Sequence, residues 1–242
     1  MSVKEWIRQN RHRLERDLGT SPQRRFFSPA YYSQYELTVP IMRRFVRGRL
    51  IDLGCGSMPY RQFVADLVTT YDSLDFFPST QVTYTGDIQN MTMIETESYD
   101  SAICLEVLEH VPDPFRALTE IYRILKRNGT LIMSVPHLSR LHSEPHDYYR
   151  FTRYGIQHLL EKAGFSVLVL EKRGGLFCFL GHQLATLLLG IVWTVPILKD
   201  IAWFLNSWLV TRAAWRIDRI LDASGIYAMG YTVVACKDKQ NA

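Results

Sequence analysis

Two glycines and an acidic residue have the spacing of a site for a nucleotide-like ligand. Residues 50–53 are apolar except for Asp52, and Gly54 and Gly56 follow with one residue between them. Such a run predicts a buried strand that turns tightly into a helix, where bare backbone lets a ligand approach. Asp52 could accept a hydrogen bond from a ligand ammonium group, such as the one at the methionine end of S-adenosylmethionine (SAM).

Two further acids favour the same ligand. Asp75 follows Asp52 by 23 residues, a distance at which an acid can bind ribose hydroxyls. Asp87, followed by Ile88, offers an acceptor for an adenine amine beside an apolar surface. Each acid alone is equally compatible with a loop or capping role. A dinucleotide site would need a third glycine, and the chain has Pro59 at that position.

The elements that would position these residues alternate between strands and helices. Asp113 and Pro114 predict the start of a helix that ends at Asn128-Gly129, and a second helix follows Thr152 and ends at Gly164. The predicted strands are residues 49–53, a strand ending at 74–75, and residues 82–85, 99–105, 130–135, 165–170 and 227–235. This alternation predicts an α/β fold with a doubly wound, mostly parallel sheet that binds its ligand at the carboxyl ends of the strands.

Two segments, residues 98–114 and 117–131, resemble the class I SAM-dependent methyltransferases of the type 11 group. The first contains Leu105-Glu106-Val107-Leu108-Glu109-His110-Val111-Pro112-Asp113-Pro114. The resemblance covers about residues 48–172 and the last strand. It implies seven strands in the order 3-2-1-4-5-7-6 with the last one antiparallel, and SAM as the cofactor. Met58 departs from the pattern, because many members have a third glycine there. The expected cofactor-binding residues are Asp52, Gly54, Gly56, Asp75, Phe76, Asp87, Ile88 and Glu106.

A histidine-rich segment after the fifth strand offers a base for methyl transfer to oxygen. A hydroxyl is a poor nucleophile while it keeps its proton, so a base assists it. We predict His146 or His137 in this role, with Asp147 orienting the imidazole; His142 is a further candidate. The alternative is a simple helix lead-in in which Asp147 pairs with Arg150. Residues 144–152 also resemble family members thought to act on glycans or other cell-envelope metabolites.

Glu106, Glu109 and His110 share one face if they form a helical turn, and together they could hold a divalent ion. A similar pattern in ubiquinone-pathway O-methyltransferases is tied to metal dependence. The favoured interpretation is a cofactor-side turn with a capping role, and no metal ligand is predicted.

Residues 176–210 form an unusually apolar insertion. It lies between the sixth and seventh strands, which pair in one sheet, so a single membrane crossing is excluded if the fold is right. Four interpretations of the insertion stay open: a hairpin in one leaflet, an interfacial helix pair, a lid or a dimer surface. Three tryptophans, Trp193, Trp203 and Trp208, followed by several arginines suit an interfacial element, and Pro196 with Lys199-Asp200 suits a hairpin tip.

Size and composition set the remaining expectations. The chain has 242 residues, a formal net charge of +4 and four scattered cysteines, which suggest neither a zinc site nor a disulfide framework. We expect a cytoplasmic protein that can lie peripherally on the inner face of the membrane. The predicted domains are a helical cap at residues 1–48 and a SAM-binding domain at 49–242, with the insertion at about 176–224.

The predicted function is SAM-dependent methyl transfer, most simply to an oxygen of a lipid-linked, glycan or other apolar acceptor. Two alternatives remain: methylation of a small soluble metabolite, and a non-catalytic SAM-binding partner subunit. Nucleic acid is not an expected partner, because the charge is mild and the base-handling Asn-Pro-Pro-Tyr pattern is missing after the fourth strand. A homodimer stays open.

Overall fold

The computed structural model describes residues 3–19, 21–222 and 225–237. The chain forms two compact units. The sheet unit comprises Leu37–Glu171 and Gly230–Ala242, and the helical unit comprises Met1–Glu36 and Lys172–Met229. The division into residues 1–48 and 49–242 stays a prediction about domains.

The sheet has seven strands, in the order β3-β2-β1-β4-β5-β7-β6. Strands β1 to β5 pair in parallel, and β7 runs antiparallel to β5. The predicted α/β class, strand order and antiparallel last strand are therefore confirmed. The strands are β1 (Gly48–Leu53), β2 (Val68–Asp75), β3 (Tyr84–Thr85), β4 (Tyr99–Leu105), β5 (Leu125–Pro136), β6 (Phe165–Arg173) and β7 (Gly230–Lys237).

The central strands are apolar because both of their faces are covered. Leu50, Ile51 and Leu53 in β1 and Ala102, Ile103 and Cys104 in β4 are fully or almost fully buried. Parallel strands in such a position read as continuous apolar runs rather than as an alternation. The run before the two glycines was therefore a reliable signal of a central strand.

Helices α3 (Pro114–Ile124) and α4 (Arg153–Lys162) belong to the sheet unit. Both start as predicted: the Asp113 side chain accepts a hydrogen bond from the Arg116 amide, and Thr152 accepts one from the Gly155 amide. Gly164 follows α4 with a positive φ of 95°, as expected for a residue that ends a helix.

Several predicted boundaries are wrong. Helix α3 ends at Ile124, four residues before Asn128-Gly129, because Leu125 already has extended backbone and starts β5. Asn128, with a positive φ of 59°, lies within an irregularity of the β4–β5 pairing and does not end the helix. The third strand spans only Tyr84–Thr85, and β7 starts at Gly230 rather than at residue 227.

The helical unit consists of helices from its two chain segments. They are α1 (Val3–Gly19), a 3-10 helix (Pro22–Phe26), the start of α2 (Pro29–Phe45), α5 (Leu176–Val192), α6 (Pro196–Leu205), a π-helical segment (Asn206–Arg212) and α7 (Ala213–Leu221). Its core joins Leu14 and Leu18 of α1 to Phe27, Leu189 and Trp193. Asp218 of α7 accepts hydrogen bonds from the amides of Gly175, Phe177 and Cys178 and so holds the start of α5.

The insertion differs from the expected hairpin in two details. Trp193 is buried in this core and its indole N–H donates to Asp17, so it is not an interfacial side chain. The break between helices lies at residues 193–195, and Lys199-Asp200 lie inside α6 rather than at a tip. Among the described residues, no helix is both long enough and apolar enough to cross a membrane.

Candidate active site

The carboxyl ends of five parallel strands bring the predicted cofactor residues to one edge of the sheet. Leu53 of β1 pairs with Leu74 of β2, and Asp75 pairs with Thr85 of β3. Asp52, Asp75 and Asp87 thus lie at or just beyond the ends of three successive strands, as the sequence predicted. Ligands of doubly wound sheets bind at this edge.

The glycine turn (residues 54–58) has backbone that favours glycine at both predicted positions. Gly54 has a φ of 69°, and a Cβ there would lie 2.4 Å from Cγ2 of Val107. Gly56 has a φ of 50° with open space around it, and its amide donates to Asp75 Oδ2 at 2.8 Å. Residue 54 must therefore be a glycine because Val107 leaves no space for a Cβ, whereas the space beside Gly56 is open to a ligand.

Met58, at the position where the family often has a third glycine, also has a positive φ, of 53°. Its amide donates to the Cys55 carbonyl, and its side chain is buried. The turn thus keeps the left-handed backbone that a glycine would adopt freely, although a methionine fills the position.

Asp52 is almost completely buried and accepts a hydrogen bond from the Tyr71 hydroxyl. Burial raises the pKa of this carboxyl to about 7, and the nearby Asp75 charge acts in the same direction. The buried carboxyl at the end of β1 therefore already has one protein partner.

Asp75 is the acid that holds the glycine turn. In addition to the Gly56 amide, it accepts a hydrogen bond from the Phe77 amide through Oδ1. Phe76 beside it is 66% exposed and packs edge-on against Phe77, so a largely exposed aromatic ring lies next to a carboxylate. This combination suits a ribose and a base.

The other predicted cofactor residues lie on the same side. Asp87 accepts hydrogen bonds from the backbone and side-chain nitrogens of Gln89, and Ile88 is buried. Glu106 follows β4 with a positive φ of 56°, and its amide donates to the Ser134 carbonyl. Partly exposed carboxylates, an exposed ring and a glycine turn that excludes a Cβ fit the hydroxyls, base and amino acid end of SAM.

A second cluster lies on the turn after β4. Glu109 is fully buried in a 3-10 helix (Leu108–His110), and neither of its carboxylate oxygens has a hydrogen-bond partner among the described residues. Its Oε1 lies 3.6 Å from Nε2 of His110 and 3.8 Å from Nε2 of His142. The sequence gives no signal that Glu109 and His142 lie side by side, because they are 33 positions apart along the chain.

The histidine loop (residues 137–151) is fastened to this turn through its backbone. The amides of Tyr148 and Tyr149 donate to the Glu109 carbonyl, and the Tyr149 hydroxyl donates to the Pro112 carbonyl. Inside the loop, Asp147 accepts from the His142 amide and from the Arg150 guanidinium. These contacts fix His142 over the buried carboxylate.

The two imidazoles differ in what surrounds Nδ1. His110 Nδ1 bonds to the His146 carbonyl, which only accepts, so this atom carries the proton and the Nε2 lone pair of His110 faces Glu109. His142 Nδ1 lies 3.2 Å from the Arg140 carbonyl, an acceptor, and 3.4 Å from the Arg150 guanidinium, a donor. Burial lowers the pKa of His110, whereas the Glu109 carboxylate raises the pKa of His142. Burial also raises the pKa of Glu109.

The three predicted catalytic residues occupy different positions. His146 is exposed and its Nδ1 bonds to the Tyr148 hydroxyl, while His137 packs near Tyr231 and its buried Nδ1 has no partner among the described residues. Asp147 forms the ion pair with Arg150 that the sequence offered as the alternative, at 2.6 Å, which holds the pKa of its carboxyl at about 2. The catalytic roles of all three stay predictions.

Glu109, His110 and His142 bring three ligand atoms within 4.8 Å of one another. This set contains His142 in place of Glu106, which the sequence pattern had grouped with Glu109 and His110. Such a cluster can share a proton or a cation. The expectation that no residue is a metal ligand stays a prediction.

A family model for known proteins matches the part of the chain that contains the expected cofactor-binding residues. Residues 51–133 match the family model described as a methyltransferase domain. A ubiquinone biosynthesis O-methyltransferase of Xanthomonas oryzae pv. oryzae is 31% identical over 100 residues, which cover 36% of this chain and 42% of that protein. The match thus spans less than half the length of that relative.

Solved structures share the fold at low sequence identity. The cyclase SpnF has a TM-score of 0.55 at 21% identity and covers 84% of this chain and 80% of its own. A phosphoethanolamine N-methyltransferase of Haemonchus contortus, solved with S-adenosylhomocysteine, has a TM-score of 0.55 at 18% identity, with 94% and 59% covered. Residues 51–133 of this chain therefore match a methyltransferase domain, and the chain has the Rossmann-like fold of solved SAM-dependent methyltransferases, which supports SAM as the cofactor.

Proposed function

We propose that this chain transfers a methyl group from SAM to a hydroxyl oxygen of its acceptor. The observation that carries the proposal is His142, a partly exposed imidazole whose Nε2 lies 3.8 Å from Oε1 of the buried Glu109. His142 and Glu109 lie around the turn that starts at Glu106, and Val107 of that turn contacts Gly54 of the glycine turn. The proposed base and the glycine turn are thus both next to the turn after β4.

The chemistry assigns a role to each residue. Bound SAM supplies an electrophilic methyl group on a sulfonium sulfur. The acceptor oxygen forms the new bond to carbon while the carbon–sulfur electron pair stays with sulfur, and His142 Nε2 takes the hydroxyl proton. Glu109 Oε1, at 3.8 Å, is too far for a direct hydrogen bond to Nε2 but close enough to stabilise the imidazolium that forms. Asp147 and Arg150 hold the loop that carries the imidazole.

For the acceptor we propose a lipid-linked, glycan or otherwise apolar hydroxyl compound, reached from the inner face of the membrane. Support comes from the helical unit, where many large apolar side chains of α5 and α6 are exposed. The relative from Xanthomonas is named as an O-methyltransferase of ubiquinone biosynthesis, which is consistent with this class. A lipid-linked substrate would explain why one unit of this protein presents so much apolar surface.

Methyl-labelled SAM and the purified full chain test the proposal. A phenolic lipid in vesicles is compared with a water-soluble phenol of the same ring. We expect label in the lipid, and a loss of about hundredfold or more in the rate for His142→Asn, with SAM affinity unchanged. His158→Asn, at an exposed histidine of α4, is the matched control and should keep most of the rate.

Two results would contradict parts of the proposal. Equal losses in both histidine variants would exclude His142 as the specific base. Efficient labelling of the soluble phenol, with none of the lipid, would replace the apolar acceptor with a soluble metabolite.

A further inference from the structure

We propose that the helical unit docks on an anionic lipid bilayer through α6 and the π-helical segment. An apolar stripe (Ile197, Leu198, Ile201, Phe204, Leu205, Trp208 and Leu209) would enter one leaflet, and an arginine pair (Arg25 and Arg212) would bind lipid phosphates. This goes beyond the proposed methyl transfer, since docking needs neither cofactor nor acceptor.

The apolar stripe follows one side of a continuous helical rod. Its members recur at intervals of three and four residues, and each is exposed: Ile197 by 76%, Phe204 by 63% and Leu209 by 69%. Helix α6 has no buried residue. From Ile197 to Leu209 the stripe extends about 18 Å at the rise of a helix. Single exposed apolar residues are ordinary, but a contiguous row of this length indicates a contact surface.

The π-helical segment anchors the end of the stripe to the rest of the helical unit. Asn206 is buried and donates through Nδ2 to the carbonyls of Phe26 and Phe27, and Thr211 donates to the Phe26 carbonyl. These hydrogen bonds therefore hold the segment that carries the exposed Trp208 and Leu209 against residues 26–27.

The arginine pair converges on that ring. The Arg212 guanidinium lies 4.2 Å from the ring centres of Phe26 and Trp208, and the Arg25 guanidinium lies 4.6 Å from Phe26. Arg212 also donates to the Ser207 carbonyl, and Arg25 Nε is buried without a hydrogen-bond partner in the described part of the chain. Among the described residues, neither guanidinium forms an ion pair with a carboxylate. Two like charges on one ring are thus left for an external anion.

The charge of the helical unit fits an anionic surface. Its sequence ranges contain 13 lysines and arginines but only 7 aspartates and glutamates, whereas the sheet unit has 15 and 17. Asp218, an acid beside this region, is buried and bonded to the amides at the start of α5. Arg216 and Arg219 remain exposed on α7, and Arg219 lies over Trp215. Arginines and tryptophans beside an apolar stripe are typical of elements that lie in the headgroup region.

The same charges argue against a second copy of this chain as the occupant. In a twofold dimer the stripe would face itself. The only acid of α6, Asp200, already lies 3.9 Å from Lys199, so α6 offers no unpaired carboxylate to the arginine pair of the other copy. An anionic bilayer supplies both phosphates for the arginines and acyl chains for the stripe.

Flotation of the full chain with vesicles tests the surface, without SAM or acceptor. We expect it to float with vesicles of phosphatidylcholine and phosphatidylglycerol, and less with phosphatidylcholine alone. Phe204→Ser with Leu209→Ser should weaken the partition by about tenfold or more on both vesicle types. Arg25→Gln with Arg212→Gln should weaken it on the anionic vesicles only. Tyr154→Ser, at a residue of the sheet unit that is 79% exposed, is the matched control and should float like the parent.

Three outcomes would overturn the inference. The chain could stay unbound with both vesicle types, or the stripe variant could float like the parent. Light scattering could also show a dimer of the parent that the stripe variant abolishes, which would make a second copy the occupant. Because the assay contains no methyl donor, a failure here leaves the methyl transfer to be judged by its own experiment.

Discussion

Val107 lies so close to Gly54 that one methyl group on the glycine would come within 2.4 Å of Val107 Cγ2. The residue after β1 and the turn after β4 thus share one close contact, and the cofactor turn depends on the position of the turn that carries Glu109.

Gly54→Ala should cost both stability and SAM affinity, because the new methyl group meets Val107 and the positive φ is unfavourable. The left-handed backbone alone costs a residue with a Cβ about 1–2 kcal/mol, and the clash adds to it. Gly56→Ala is the matched variant, since it has a positive φ but open space. Urea unfolding and calorimetric SAM titration should show the larger loss at Gly54; equal losses would mean that Val107 plays no part.

Asp75→Ala should lower SAM affinity by about tenfold to hundredfold, because a charged acceptor of hydrogen bonds is removed from the site. The variant also frees the Gly56 amide, which Asp75 Oδ2 holds. Asp66→Ala, at an exposed carboxylate paired with Arg43, serves as the control. Undiminished SAM binding by Asp75→Ala in calorimetry would refute the assignment of Asp75 to the cofactor.

Stability should fall as the pH rises from about 4 to about 7 because of Asp52. Burial raises the pKa of its carboxyl to about 7, whereas in the unfolded chain it titrates near 4. The folded state therefore binds the extra proton in this window, and its stability declines as that proton is lost. Asp52→Asn should flatten the decline in urea midpoints measured at about pH 5 and about pH 8. A decline of unchanged size in the variant would assign it to another group.

Asp218→Asn should destabilise the helical unit by about 2 kcal/mol or more, since one carboxylate accepts three amide hydrogen bonds at the start of α5. Asp113→Asn removes a charge that accepts one such bond at α3 and should cost about 1 kcal/mol or less. Thermal unfolding of both variants compares them. A loss at Asp113 as large as that at Asp218 would contradict the count of bonds as the cause.

Local patterns carried most of the fold. The apolar run before Gly54, the acids at three strand ends and the caps at Asp113 and Thr152 all act through neighbours in sequence, and the structure has them as predicted. The end of α3 was missed because Asn128-Gly129 is a strong stop signal that tertiary pairing of β4 with β5 overrides. The strand begins at Leu125 and accommodates the turn inside it.

The site was harder to predict where it depends on packing over long distances. Nothing near Glu109 in sequence shows that His142 meets it, since that contact requires the histidine loop to fold back on the turn after β4. Trp193 likewise has the composition of an interfacial residue, and only its contact with α1 makes it part of a core. Both contacts bury residues that are far apart in the sequence, so they can be seen only in the folded chain.

Arg150 ends the histidine loop with bonds to the carbonyls of Ser139, Arg140 and Tyr149 as well as to Asp147. The loop is therefore closed at its base by one side chain, independently of the exposed residues 143–146 at its tip. On the proposed mechanism, substitutions at the tip would therefore leave the imidazole of His142 in place. A library restricted to residues 143–146 would then change which acceptor binds without moving the proposed base.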